Sequence, residues 1–89
     1  MKKMKNQELI GKKVYGFKFE DYVHNLLHYN LQMDNHIGEI GTINGHNGVN
    51  VKVEFKRGIS FISWEYPAFL IEQNLVEMEH SENSYYEIY

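Results

Sequence analysis

Residues 37–72 read IGEIGTINGHNGVNVKVEFKRGISFISWEYPAFLIE. Within them Val49, Val51, Val53 and Phe55 fall at every second position, and Asn50, Lys52, Glu54 and Lys56 fill the gaps. Successive strand side chains point to opposite faces, so this alternation predicts a strand with one buried side. Asn44-Gly45-His46-Asn47-Gly48 precedes it, with two Asn-Gly pairs suited to the positive φ of turns. Lys56-Arg57-Gly58 follows it as a second turn signal, ahead of residues 60–66, which are rich in strand formers. The prediction is an antiparallel meander of strands over residues 37–43, 49–56 and 60–66. Pro67 closes the last of these, because it cannot donate to a ladder.

On the N-terminal side, Tyr15, Phe17 and Phe19 alternate with Gly16 and Lys18, which predicts a first strand with Val14 on the face opposite the aromatic row. Gly16 inside it marks a bulge or a bend. Residues 20–34 admit two readings. Tyr22, Val23, Leu26, Leu27 and Tyr29 fit a short amphipathic helix opened by Glu20-Asp21, and the same residues fit a long irregular loop over one end of the sheet. On the C-terminal side, Pro67-Ala68-Phe69-Leu70 reads as a tight turn and Leu70-Ile71-Glu72 as a brief fifth strand, which residues 75–78 extend. Tyr85, Tyr86, Ile88 and Tyr89 are apolar for a tail, and are expected to pack on the body or on a partner. The expected organisation is a flexible or helical segment over residues 1–9, one β domain over 10–73, and an acidic, tyrosine-rich tail over 74–89.

The chain of 89 residues has 43% hydrophobic residues, one Pro and no Cys. That is enough for one modest core, with no disulfide framework and no Cys-containing zinc site. The basic start lacks the apolar run of a signal peptide, and no stretch has the length of a membrane span, so a cytoplasmic location is expected. The net charge of −3 is unevenly placed. Residues 1–13 hold five lysines against Glu8, while residues 74–89 hold four glutamates and no Lys or Arg. A mildly acidic body is a poor general binder of phosphate backbones.

Catalytic motifs are missing. There is no Cys nucleophile, Ser60, Ser63, Ser81 and Ser84 lack a nucleophile-elbow context, and no Gly-Lys-Ser/Thr follows the glycines around Gly41 and Gly45. A non-enzymatic protein without a cofactor is expected. His24 and His28 have the spacing of two metal ligands on one helix face, but no third ligand stands beside them, so no metal site is expected.

Gly11-Lys12-Lys13-Val14, Gly38-Glu39-Ile40-Gly41-Thr42-Ile43, Val51-Lys52-Val53-Glu54-Phe55 with Gly58, and Trp64-Glu65-Tyr66-Pro67-Ala68-Phe69-Leu70 follow one another in an order that resembles the SH3-like small barrels of the mind-bomb repeat type. Small phage and bacterial proteins of the same plan are also similar. The likeness covers about residues 10–72 and implies a mainly β, five-stranded SH3-like barrel with a helical or long-loop insertion after the first strand. It implies recognition of a protein partner; a phage or mobile-element accessory protein acting on a host protein fits it. The piece centred on Gly41 resembles the KOW motif, which implies binding of nucleic acid or ribonucleoprotein through Lys12, Lys13, Lys52, Lys56 and Arg57. The chain departs from KOW in lacking a basic cluster beside that piece, and from the mind-bomb pattern in residues 20–34 and in its tail. A structural subunit of a homo-oligomer is a third reading.

The aromatic residues are too many for so small a core. Tyr15, Phe17, Trp64 and Tyr66 are the expected partner surface, walled by residues 20–34. The acids Glu20, Asp21 and Glu65 would favour a basic partner segment. The competing expectation is that Trp64 and Tyr66 complete the core.

Overall fold

The computed structural model describes residues 6–76. Four strands form one antiparallel sheet in sequence order: β1 (Lys13–Tyr15), β2 (Ile40–His46), β3 (Asn50–Arg57) and β4 (Ser60–Pro67). The alternation in β3 is realised as it reads. Val51, Val53 and Phe55 are fully buried, while Lys52 and Lys56 are exposed. Each such burial stabilises the fold by about 1.5–3 kcal/mol before ordering costs. Val49 lies ahead of the strand and is half exposed. Opposite these residues on β4 stand Tyr66, Trp64 and Ile62. Val14, Ile43, Leu9, Phe19, Leu27, Met33 and Ile71 complete the core. Leu9 belongs to a single helical turn, Asn6–Leu9, so the core reaches into the N-terminal segment.

The two turn signals resolve differently. Arg57 pairs with Ser60 around a two-residue turn in which Gly58 takes φ 62°, the conformation a tight hairpin needs at its first position. Asn47-Gly48 makes the β2–β3 turn, with Gly48 at φ 102° and the Asn47 side chain accepting from the amides of Val49 and Asn50. Asn44-Gly45 lies inside β2, where the register shifts between Ile43 and Gly45. Gly41 serves a close approach, because a Cβ there would sit 2.7 Å from Val53 Cγ1 and 2.9 Å from the Glu54 carbonyl oxygen.

Residues 20–34 are a long connection and not a helix. The chain makes short 3-10 turns at Val23–Asn25 and Leu31–His36. Leu26 turns left-handed at φ 55° and Tyr22 bridges Leu27 antiparallel, which no continuous helix allows, while Phe19, Leu27 and Met33 all reach the core. The first strand is also shorter than expected. Gly16 leaves the β1–β2 ladder to bridge Ile37, with no room for a side chain against the His36 carbonyl. At the other end, residues 68–74 run as 3-10 turns where a brief strand over 70–72 was expected; Ile71 is right-handed helical (φ −66°, ψ −41°). Strand-like pairing returns only at Leu75, which bridges Val14, with the Val76 amide donating to the Lys13 carbonyl at 3.0 Å. The tyrosine-rich tail lies outside the described residues. No helix among the described residues is long and apolar enough to cross a membrane.

Candidate functional site

The end of the sheet where β3 turns into β4 is held by a polar cluster. Arg57 grips Glu39 with both arms: Nη1 donates to Oε1 and Nη2 to Oε2, each at 2.9 Å. Arg57 Nη2 also lies 2.9 Å from His36 Nδ1, and since a guanidinium only donates, Nδ1 accepts in that contact. His36 is buried and stacks on Phe55 at 4.4 Å between centroids. The Arg57 hydrogen bonds hold the Glu39 carboxyl below its ordinary range. This cluster ties the start of β2 to the β3–β4 turn.

The same register gathers exposed apolar side chains around that tie. Tyr15 pairs with Ile40 on the outer face, Gly16 bridges Ile37 beside them, and Phe61 pairs with Lys56. Ile59 stands in the turn just after Arg57. Phe61 is 59% exposed and Ile59 99%. Tyr15, Ile40 and Phe61 thus share one end of the outer face, and exposed Ile37 and Ile59 stand in the segments that flank it. Clustered apolar exposure of this kind marks interaction surfaces more often than scattered single residues do.

The four aromatics expected to share a surface are divided by the sheet. Tyr15 is on the outer face. Tyr66 is 1% exposed, its ring packed against Phe17 at 4.9 Å and Phe19 at 5.7 Å. Phe17 and Trp64 are half-buried against the same core. Tyr66 therefore fills the core, as the competing expectation had it. Burial pushes its hydroxyl pKa up. The Tyr66 hydroxyl and Trp64 Nε1 are buried without a hydrogen-bond partner among the described residues. The parity that turns Trp64 and Tyr66 inward turns Phe61 outward, and Ile40 and Ile59 are exposed as well.

Of the basic residues, Lys13, Lys52 and Lys56 are on the outer face and Lys12 lies just before β1. Lys13 Nζ donates to Thr42 Oγ1 at 2.7 Å, Lys52 pairs across the strands with Glu65, and Arg57 is engaged by Glu39. His28 Nδ1 lies 3.3 Å from Asp21 Oδ2. The Asp21 carboxyl is held low first by the Tyr29 amide, which donates to Oδ1 at 2.7 Å, and then by His28. Among the described residues no three of His, Cys, Asp and Glu stand together as metal ligands. No family model, curated protein or solved structure matches this chain.

Proposed function

We propose that this chain is a non-enzymatic binding module that recognises a protein partner through the sheet end bounded by Tyr15, Ile40, Ile59 and Phe61. The observation that carries this reading is the group of exposed apolar residues held in place by the Glu39–Arg57 pair. A rigid patch pre-pays the ordering cost of association, and large apolar anchors carry most interface energy. The finer reading is an SH3-like barrel whose fifth strand is reduced to the Leu75 bridge. In this reading the module is an accessory protein acting on a host protein. The protein reading is preferred to a KOW-type one because Arg57 is engaged by Glu39, and because Glu54 and Glu65 stand beside the lysines of the same face.

The test is affinity capture from nuclease-treated extract with the parent chain and with Phe61→Ser. The parent should retain one protein from about 0.1 M to about 0.5 M salt, since an apolar interface weakens little where phosphate contacts fail steeply. Phe61→Ser should weaken that retention about tenfold or more while melting like the parent. Retention that disappears with nuclease, or that ignores Phe61→Ser, would count against the reading.

A further inference from the structure

A second apolar feature stands at the opposite end of β3, and it does not depend on the patch described above. Tyr22 and Leu27 exchange both backbone hydrogen bonds, 2.9 and 3.1 Å, and close a small loop whose tip is Val23-His24-Asn25-Leu26. The loop is bolted to the sheet. Asn25 Nδ2 donates to Asn50 Oδ1 at 3.0 Å, and Asn50 Nδ2 returns a bond to the Asn25 carbonyl at 3.1 Å, with Asn50 itself buried. Asn50 opens β3 and Arg57 ends it, so the tip is roughly 23 Å from the sheet-end patch at strand rise.

Leu26 takes φ 55° and ψ 42°, a left-handed conformation that L residues rarely adopt outside Gly, Asn and Asp. Its side chain is 87% exposed, and that of Val23 is 76% exposed. Neither side chain therefore rewards the core, and a Gly or Asn would serve the turn better. An outlier of this kind, held by the surrounding structure, is a pointer to function. Phe69, also exposed, stands beside the loop with its ring 5.2 Å from Tyr22. Residues 18–34 carry Glu20, Asp21 and Asp34 against one cation, Lys18, whose Nζ stands 5.9 Å from the centre of the Tyr29 ring.

We infer that the Val23–Leu26 tip is an apolar prong that enters an apolar pocket rimmed by Lys and Arg on a protein partner. The acids behind the tip supply the complementary charge, and they repel the anionic surface that a membrane would present. Leu26 is the anchor, and the Asn25–Asn50 pair holds it ready.

Two measurements on the full chain test this. Leu26→Asn and Leu26→Gly should melt at or above the parent temperature; a clear drop would return Leu26 to a structural role and overturn the inference. A photo-crosslinking benzoylphenylalanine at position 26 should then label, in extract, a protein segment that lines an apolar pocket with basic residues at its rim. Excess parent chain should compete for that labelling, and excess Leu26→Asn should compete about tenfold less well. Labelling of a second copy of this chain, labelling at an acidic surface, absence of any protein adduct, or sedimentation with phosphatidylcholine–phosphatidylglycerol vesicles would each overturn it. Competition lost with Phe61→Ser but kept with Leu26→Asn would leave the sheet-end surface standing and remove the prong.

Discussion

Glu39 and Arg57 meet through two hydrogen bonds of 2.9 Å at the base of the sheet, and the consequence is a dependence on acid. Arg57 lowers the Glu39 pKa below its ordinary 4.5. A carboxylate whose folded value lies below its unfolded one contributes stability in full above the unfolded value and loses it as pH falls through the folded value. The unfolding midpoints of the parent and Glu39→Gln in urea should therefore differ most near about pH 7 and converge well below 4.5. A gap that stays constant across that range would place the worth of Glu39 elsewhere. At the same scale, Asn50 shows the limit of pattern reading. Alternation puts it in solvent with Lys52, yet it is buried, because Asn25 bonds its side-chain amide and Asn47, three residues earlier, accepts from its backbone amide. Nothing in a period-two pattern announces a partner 25 residues away.

Among the elements, the β3–β4 hairpin was legible because alternation, Gly58 and Pro67 all point to one register. The long connection was not. Its apolar spacing fits a helix, but Leu26 turns left-handed between Tyr22 and Leu27, which pair with each other, and tertiary anchoring of Phe19, Leu27 and Met33 overrides a short periodic run. Glycines inside strands read as bends or close approaches, and β2 holds one of each kind of consequence. Gly41→Ala would push a Cβ against Val53, Phe55 and the Glu54 carbonyl, and should cost about 1–3 kcal/mol in urea unfolding. At Gly45 the nearest atom to such a Cβ is Lys52 Cβ at 3.9 Å, so Gly45→Ala should be close to neutral. Equal costs at the two positions would mean that β2 does not press on β3 as described.

For the whole molecule, the organising fact is a sheet with two unlike sides. One buries Val51, Val53, Phe55 and Tyr66; the other carries Tyr15, Ile40 and Phe61 outward. The surplus of aromatics was legible in the sequence, and so was its division within β4, where alternation sets Phe61 opposite Trp64 and Tyr66; which of the two sides is buried was not, since that depends on what packs over the sheet. Trp64 and Tyr66 went to the core, while Phe61, of the opposite parity on the same strand, went out. The proposed sheet-end surface stands on this division. It is tested most directly by the unfolding free energies of Phe55→Ala and Phe61→Ala measured side by side in urea. Phe55→Ala should lose about 3–5 kcal/mol and Phe61→Ala less than about 1 kcal/mol. Equal losses, or the larger loss at Phe61, would contradict the account.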